Sequence, residues 1–334
     1  MVESLKANPK IAIIILNWNG WRDTVECLES LRAASYDRFD TIIVDNASSD
    51  GSVEKIMDYL SRNKSPGLQI ISCSLEEAKN AVKNEIDAEK ALSGRKIIVI
   101  RNDENSGFAE GNNIGIRYTI RTLDPDYALL LNNDTVVDSH FLDRLIESAE
   151  SDNRIAVLGP KIYYYDYKGK KDFVQSVGGY VNWFLYPGYH NIGGFEDSGE
   201  AEPSGFKERD YVSGAAMMIK AAHLREDTLD STYFFGCEDV DFCLRVKKQG
   251  GVIANCEKSH IWHKVGVSRN KNPNLRTGKE VSVLFRHVIY NLRFTKKETR
   301  GYVIYIPIQI AHIGFKFLRK NLLRREYVPI FNRR

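Results

Sequence analysis

From Ile11 to Ala149, short runs of apolar residues alternate with longer segments in which apolar residues recur at helical spacing. The runs are too short for buried helices and are rich in Ile, Leu and Val, which indicates buried strands. Strands that alternate with helices form a mostly parallel sheet through right-handed crossovers. The sequence therefore predicts an α/β fold with helices flanking a central sheet. The predicted strands are Ile11–Leu16, Thr41–Val44, Lys96–Ile100 and Ala128–Leu131, and the predicted helices are Trp21–Ala34, Val53–Leu60, Ile114–Arg121 and Phe141–Ala149.

Two segments interrupt this alternation. Ser61–Arg95 is polar, and its Leu75–Leu92 part has the Glu, Lys and Ala content of an exposed helix, so we assign it no chemistry. A long loop separates two further apolar runs, Ile155–Ile162 and Tyr211–Lys220, and loops of this length are usually functional or disordered. Its aromatic side chains either stack on sugar rings or form a small hydrophobic cluster; they include Trp183, Phe184, Tyr186 and Tyr189.

The composition excludes several classes of protein. A chain of 334 residues with 43% hydrophobic content can bury a large core, so it is not disordered. Its 47 basic and 44 acidic residues nearly balance, which argues against a nucleic-acid partner. Five cysteines without a CxxC pair are typical of reduced thiols in a cytosolic compartment. The polar start MVESLKANPK and the short run IAIIIL lead us to expect neither a signal peptide nor a membrane span there.

Polar residues follow each predicted strand at the point where the strand ends. Asn17 and Asn19 follow the first strand, Asp45 and Asn46 follow the second, and Asn132-Asn133-Asp134 follows the run Ala128–Leu131. In an open parallel sheet, ligands bind outside the carboxyl ends of the strands. Oxygen atoms there suit a hard divalent cation that keeps positions open for substrate phosphates. The alternative is that Asn133 and Asp134 form an ordinary turn after a strand.

The loop Arg101–Asn113, RNDENSGFAEGNN, carries Gly107 and Gly111 at a spacing that lets the backbone approach a ligand ahead of the next helix. It matches neither the dinucleotide-binding glycine pattern nor a Walker A loop, which needs a Lys after its last Gly. The loop is consistent with a phosphate or sugar contact.

A second acidic cluster lies in Phe234–Phe242, where Glu238, Asp239 and Asp241 fall within four positions. The apolar residues that follow continue a helical pattern, so Glu238 and Asp239 lie in the first turn of a helix. Acidic residues in that turn interact favourably with the helix dipole, and the same field keeps a general base ionised. Helix stabilisation and catalysis therefore both remain possible.

After this helix we predict a short strand, Val252–Ala254, followed by Ser259–His263. A zinc site made from this region is an alternative, but the gap between its first two cysteines is longer than a CxxC hairpin and is filled by the predicted helix. That candidate set is Cys237, Cys243, Cys256 and His260.

Taken together, these segments resemble the family 2 inverting glycosyltransferases of the GT-A fold, and among them the rhamnosyltransferase-like branch. The segments that carry the resemblance are IIILNWNG, IIVDNASSDGS, NSGFAEGNN, LLLNNDT, VSGAAMMIK, FFGCEDVDFCLR and HIWHKVG. The resemblance covers Ile11 to about Gly266 and implies a Rossmann-like GT-A domain, which we assign to residues 1–266. Residues 61–95, a polar and partly helical insertion, and residues 267–334, a predicted helical extension, lie outside the resemblance.

The resemblance also implies a nucleotide-diphosphate-sugar donor, a divalent cation, Mg²⁺ or Mn²⁺, and a single displacement that inverts the anomeric carbon. Asp239 matches the catalytic base, with Glu238 and Asp241 as alternatives. Asp134 and His263 match the metal ligands; Asn132 replaces the first residue of the family's Asp-x-Asp motif, a departure common in this branch. The positions that match the donor pocket are Asn17, Asn19, Asp45, Asn46, Asn105, Gly107, Asn112 and Asn133.

Within this interpretation the best prediction is rhamnose transfer from dTDP-rhamnose to a saccharide or lipid-linked saccharide. Another hexose from a UDP-sugar and a non-catalytic sugar-nucleotide-binding protein are the alternatives. A nucleotidyltransferase would show a basic, glycine-rich loop after the first strand, which NWNG is not. The tail segment Tyr302–Phe317 and the basic residues after it suit an interfacial membrane helix or a subunit contact. We therefore expect a cytoplasmic protein, with possible attachment to the inner membrane face.

Overall fold

The computed structural model describes residues 8–82, 94–182, 188–199, 205–226 and 228–265, all within one compact unit, Met1–Pro273. The helices are α1 Trp21–Arg32, α2 Ser52–Arg62, α3 Leu75–Asn80, α4 Gly107–Thr122, α5 Phe141–Ser151, α6 Ala221–Glu226 and α7 Glu238–Lys248. The strands are β1 Ile11–Asn17, β2 Phe39–Asp45, β3 Gln69–Ser74, β4 Lys96–Arg101, β5 Tyr127–Asn132, β6 Thr135–Val137, β7 Ile155–Tyr164, β8 Phe173–Ser176, β9 Gly179–Asn182, β10 Gly188–Asn191, β11 Phe195–Glu196, β12 Phe206–Arg209, β13 Ala216–Lys220 and β14 Val252–His263.

Most strands join one large central sheet with the order β11-β8-β7-β13-β5-β1-β2-β4-β3. The strands from β5 to β3 are parallel, whereas β13 runs antiparallel to both of its neighbours, β5 and β7. Strand β14 pairs in parallel with β7 and in antiparallel with β6 and β12. The predicted α/β class with a mostly parallel sheet is confirmed.

The central strands are buried because they consist of apolar residues on both faces. Every residue of β2 is buried, and five consecutive residues of β1, Ile11–Ile15, have no exposed surface. Helices cover these faces, so the apolar stripes of α1 and α2 pack into one core with the side chains of β1 and β5. A two-faced core of this kind fixes where the strands end, and hence where their polar loops lie.

Helix α4 begins at Gly107, seven residues before the predicted start at Ile114, so Gly107 and Gly111 lie inside a helix. The prediction of a loop there was wrong. A Cβ at Gly111 would lie 2.6 Å from Leu16 Cδ1, and one at Gly115 would lie 2.6 Å from Ile14 Cγ2. These glycines serve close packing of the helix on β1, which offsets their low helix propensity.

Two other predicted boundaries also differ. Strand β14 continues to His263, past the predicted end at Ala254, because a register shift between Cys256 and His260 accommodates its polar residues. Within Ser61–Arg95 the sequence interpretation missed β3, a half-buried strand at the sheet edge, and of the predicted Leu75–Leu92 helix the structure describes Leu75–Asn80.

Residues 83–93, 183–187 and the predicted tail 267–334 lie outside the described residues. Within the described ranges, none of the helices has both the length and the apolar character needed to cross a bilayer.

Candidate active site

The strand register brings the polar strand ends to one edge of the sheet. Asn17, at the end of β1, lies opposite Asp45 of β2, and Leu16 lies opposite Asn132 of β5. The antiparallel strand β13 begins at the same edge, because its first residue, Ala216, pairs with Leu131. The loops after three parallel strands and before β13 therefore meet at this edge, where α/β sheets bind ligands.

A buried polar network joins the first two loops. Asn17 has no exposed surface; its Nδ2 donates to Asp45 Oδ1 at 2.6 Å and its Oδ1 accepts from Thr24 Oγ1 at 2.8 Å. Asp45 also accepts from the N–H and hydroxyl of Ser48. Asn133 Nδ2 donates to Thr24 Oγ1 at 3.1 Å. Asn17, Asp45 and Asn133, which are predicted to line the pocket for the nucleotide-sugar donor, are thus held in place by one hydrogen-bond network.

At the solvent side of the same loops, Asn19 is hydrogen-bonded to Ser48 and Ser49. The N–H of Asn19 donates to Ser48 Oγ at 2.8 Å, and Asn19 Oδ1 accepts from the N–H of Ser49 at 2.8 Å. Asn19 has a left-handed backbone, with φ of 51°, which Asn tolerates better than most residues. Asn19 is half-buried, so it lies nearer to solvent than Asn17.

A second network connects the β2 and β4 loops to helix α4. Asn46 Nδ2 donates to Asn105 Oδ1 at 2.9 Å and to the carbonyl of Gly107 at 3.1 Å. Asn46 Oδ1 accepts from Asn102 Nδ2 at 2.9 Å. Asn105 is exposed, whereas Asn112 is buried and donates to the carbonyl of Phe108 within the helix. Of these predicted donor residues, Asn105 presents the most surface to a ligand.

The predicted metal ligands lie in contact. Asp134 Oδ1 is 3.1 Å from His263 Nε2, and both residues are buried, with 7% and 8% of their surface exposed. Antiparallel pairing of β14 with β6 aligns His263 with Thr135, next to Asp134. Asn132 Nδ2 lies 3.4 Å from the same ring nitrogen. These three side chains form one end of the candidate site.

The tautomer of His263 follows from its other contact. Nδ1 lies 3.1 Å from Gln175 Oε1, an acceptor, so Nδ1 carries the hydrogen. In a neutral ring Nε2 then turns its lone pair toward the Asp134 carboxylate, so a cation between the two groups would be held by both of them. Carboxylate oxygen and imidazole nitrogen both bind divalent transition metals, and a second group that orients the histidine is usual in metal sites. The pair therefore fits the predicted cation.

Two protein ligands leave positions for substrate oxygens. Among the residues that the structure describes, no group of three or more His, Cys, Asp or Glu side chains is arranged to hold a metal ion. Two cysteines of the alternative zinc set have other contacts: Cys256 Sγ lies 3.2 Å from Ser148 Oγ, and Cys243 Sγ lies 3.9 Å from Met217 Sδ. An open pair suits a cation that binds together with a diphosphate.

Asp239 lies in the first turn of α7, as predicted. Oδ2 accepts from the N–H of Gly214 at 2.9 Å, and Oδ1 accepts from the N–H of Val240 at 2.8 Å. Burial raises the pKa of this carboxyl, and the backbone hydrogen bonds oppose the rise. The side chain is still partly exposed. Asp239 therefore combines the accessibility and the raised proton affinity of a general base.

The neighbouring carboxylates differ from Asp239. Asp241 has no exposed surface and pairs with Arg245, whose Nε lies 2.7 Å from Oδ2. Arg245 also donates to the carbonyl of Thr228 at 2.7 Å, so this ion pair holds the preceding loop on α7. Glu238 is buried, with 5% of its surface exposed. Asp239 is thus the carboxylate of the three that is most open to a substrate.

Backbone hydrogen bonds connect the two ends of the site. Gly214, which binds Asp239, precedes Ala215, and the carbonyl of Ala215 accepts from the N–H of Asn132 at 2.9 Å. Asn132 in turn contacts His263. The segment before β13 therefore connects Asp239, through Gly214 and Ala215, to the strand end that contacts the Asp134–His263 pair.

Sequence reasoning missed Asn102 and Gln175. Asn102 follows β4 as Asn46 follows β2, and the rule used for the other strand ends applies to it equally. Gln175 lies in the long segment assigned to a loop, which in fact forms β8 to β12. Its contact with His263 spans 88 positions, and no local pattern indicates it.

Comparison with known proteins places these features in a family. The sequence model described as Glycosyl transferase family 2 matches residues 12–86 and 74–222, more than half of the chain. The chain is 24% identical over 231 residues to the low-salt glycan biosynthesis hexosyltransferase Agl10 of Haloferax volcanii, covering 67% of this chain and 69% of that protein. It is 28% identical over 161 residues to the rhamnosyltransferase WbbL of Escherichia coli, covering 47% of this chain and 60% of WbbL.

Solved structures share the fold at low sequence identity. GalNAc-T7, crystallised with UDP, GalNAc and Mn²⁺, matches with a TM-score of 0.54 and 14% identity, over 77% of this chain and 44% of that one. The mannosyltransferase PcManGT of Pyrobaculum calidifontis, in complex with GDP-Man and Mn²⁺, matches with a TM-score of 0.53 and 11% identity, over 92% and 70%. The chain thus spans less than half of the GalNAc-T7 chain, and the predicted GT-A fold is confirmed.

Proposed function

The chain belongs to glycosyl transferase family 2, and we propose that it transfers a hexose from a nucleotide-diphosphate-sugar to an acceptor hydroxyl, with inversion at the anomeric carbon. One observation carries this proposal: hydrogen bonds of the segment before β13 connect the accessible Asp239 carboxylate to Asn132, which contacts His263 of the Asp134–His263 pair. A binding protein has no need for a carboxylate with raised proton affinity beside such a pair.

Asp239 is the proposed base. Its ionised carboxylate accepts the proton of the acceptor hydroxyl as the hydroxyl oxygen forms its bond to the anomeric carbon. The bond from that carbon to the leaving diphosphate breaks on the opposite face, so one displacement inverts the centre. The N–H groups of Gly214 and Val240 hold the carboxylate in position for this transfer. Glu238, also in the first turn of α7, interacts favourably with the helix dipole.

Asp134 and His263 are the proposed ligands of Mg²⁺ or Mn²⁺, and Gln175 orients the histidine ring. When bound, the cation supplies Lewis-acid stabilisation of the charge on the leaving diphosphate. Two of the structural neighbours were solved with Mn²⁺, which supports a divalent cation for this chain as well.

The donor pocket is proposed between the β1, β2 and β4 loops. Asn19 and Asn105 are the predicted residues with most exposure there, while Asn17, Asp45, Asn46, Gly107, Asn112 and Asn133 shape the pocket from beneath. Similarity to the rhamnosyltransferase WbbL supports rhamnose as the transferred sugar, for which dTDP-rhamnose is the proposed donor. Similarity to the hexosyltransferase Agl10 supports the wider class of hexoses, for which a UDP-hexose is the alternative donor.

The acceptor is proposed to be a saccharide or a lipid-linked saccharide. Contact of the tail with the inner face of the cell membrane, or with a second subunit, remains a prediction from its sequence, because those residues lie outside the described ranges.

A donor panel tests the function. Thermal unfolding is followed with dTDP-, UDP- and GDP-sugars, each with and without Mn²⁺. A donor at 100 times its dissociation constant stabilises the protein by about 2.7 kcal/mol, and we expect this for one nucleotide class in the presence of the cation. The Asp134→Asn variant should lose the part of this stabilisation that depends on Mn²⁺. Asp58→Asn, which changes an exposed residue on α2, should keep it. No stabilisation by any nucleotide-sugar would contradict the proposal.

A further inference from the structure

Two phenylalanine side chains are exposed just before the helix that carries Asp239. Phe234 and Phe235 are 45% and 44% exposed. A turn at Gly236 and Cys237, both with left-handed backbone and φ of 88° and 73°, connects them to α7. A positive φ at Cys237 is costly for a residue with a side chain, so the turn is maintained by its surroundings. The turn fixes both rings near the first turn of α7.

A third ring connects these phenylalanines to the carboxylate. Phe108 Cε1 and Asp239 Oδ2 each lie 3.5 Å from the position that a Cβ on Gly214 would take, so ring and carboxylate flank the same glycine. Phe235 packs edge to face on Phe108, with ring centroids 6.2 Å apart. The N–H of Phe108 donates to the carbonyl of Phe234 at 2.6 Å. The packed rings of Phe108 and Phe235, with the exposed Phe234 bonded to Phe108 through its backbone, are here called the aromatic platform beside Asp239.

We propose that this aromatic platform is the acceptor subsite and binds the apolar face of a pyranose ring. The inference rests on the proposed function and specifies its acceptor as a sugar hydroxyl. A pyranose presents C–H groups on one face and hydroxyls at its edge. Such a ring can cover the exposed aromatic carbon, which is favourable, while one of its hydroxyls reaches the base. An acyl chain would cover the rings as well but offers no hydroxyl to Asp239.

The test measures binding of simple methyl pyranosides by saturation-transfer NMR. The protein is saturated with the nucleoside diphosphate that stabilises it and with Mg²⁺, and sorbitol serves as a polyol without a ring face. We expect transfer from aromatic protons to a pyranoside and none to sorbitol. Phe235→Ala should weaken that binding about two- to tenfold, the usual range for one aromatic contact. Phe235→Tyr, which keeps the ring, should restore it.

A matched control is available at Phe195, which is also 44% exposed. Phe195 lies on β11, which is three strands from β13 and therefore about 14 Å from that strand. Phe195→Ala should leave pyranoside binding unchanged. Equal binding by the wild type and Phe235→Ala would overturn the proposal, as would binding of short-chain alkyl phosphate but of no pyranoside. Nucleotide binding in the same samples separates the two proposals, because its retention leaves the transferase function standing when the subsite fails.

Discussion

At the scale of single residues, burial and hydrogen bonding act on Asp239 in opposite directions. Burial disfavours its charge and raises its pKa, while the N–H groups of Gly214 and Val240 favour the charge. The burial effect is the larger. Asp241 is the useful contrast, since its pairing with Arg245 keeps that carboxylate occupied in holding the fold.

The raised pKa of Asp239 predicts the pH dependence of the proposed transfer. The base works only when ionised, so kcat/KM should rise with pH through the folded-state pKa of this group. Because that pKa is raised, the acid limb should lie above about pH 4, where an ordinary aspartate ionises. The measurement is kcat/KM against pH, with circular dichroism confirming that the protein stays folded. An acid limb at the ordinary position would contradict this role.

Gln175 predicts a second effect at this scale. Its carbonyl oxygen accepts from His263 Nδ1, so Gln175→Ala should leave the ring free to turn and should raise the Mn²⁺ concentration for half-maximal activity by about 10- to 100-fold. Gln175→Glu retains an acceptor and should behave much more like the wild type. The measurement is a metal titration of activity. An unchanged titration in Gln175→Ala would show that the ring needs no such support.

At the scale of elements, helix α4 joins the two sides of the site. At the start of α4, the carbonyl of Gly107 accepts from Asn46 and the N–H of Phe108 donates to the carbonyl of Phe234. Farther along the helix, the side chain of Asn113 makes two hydrogen bonds with the backbone of Leu229, at 2.7 and 3.1 Å. The loop that leads to Asp239 is therefore anchored on the helix that follows the donor loop.

A pair of glycine variants tests this packing. Gly107 has φ of +84°, and a Cβ there would lie 2.5 Å from the carbonyl oxygen of Phe234; Gly169 has φ of +85° with no atom within 4 Å of that position. Gly169→Ala should therefore cost only the backbone penalty, about 1 to 2 kcal/mol. Gly107→Ala should lower the free energy of unfolding, measured by urea denaturation, by clearly more than Gly169→Ala does. Equal losses would mean that the Phe234 contact is unimportant.

The sequence predicted the elements whose patterns are local. The buried runs of β1, β2 and β5 and the acidic first turn of α7 were found from residue type and spacing alone. The start of α4 was missed because its glycines resemble a loop until Leu16 and Ile14 are seen to pack on them. Residue patterns could not indicate that His263 meets Asp134, since the contact depends on the pairing of β14 with β6; only the family resemblance suggested it.

At the scale of the whole molecule, one sheet supports two sets of loops. The parallel strands β1, β2 and β4 carry the proposed donor pocket, and β13, β14 and α7 bring His263 and Asp239 to the same edge. Binding and chemistry should therefore be separable by mutation.

The most direct measurement compares the wild type with Asp239→Asn, using the donor that stabilises the protein. Donor-induced stabilisation and the release of nucleoside diphosphate are followed in the same preparation, with Asp58→Asn as an exposed control. The proposed base role predicts unchanged donor stabilisation and a fall in turnover of about 10²- to 10⁴-fold in Asp239→Asn alone. Turnover in Asp239→Asn within a few-fold of the wild type would contradict the assignment of this site.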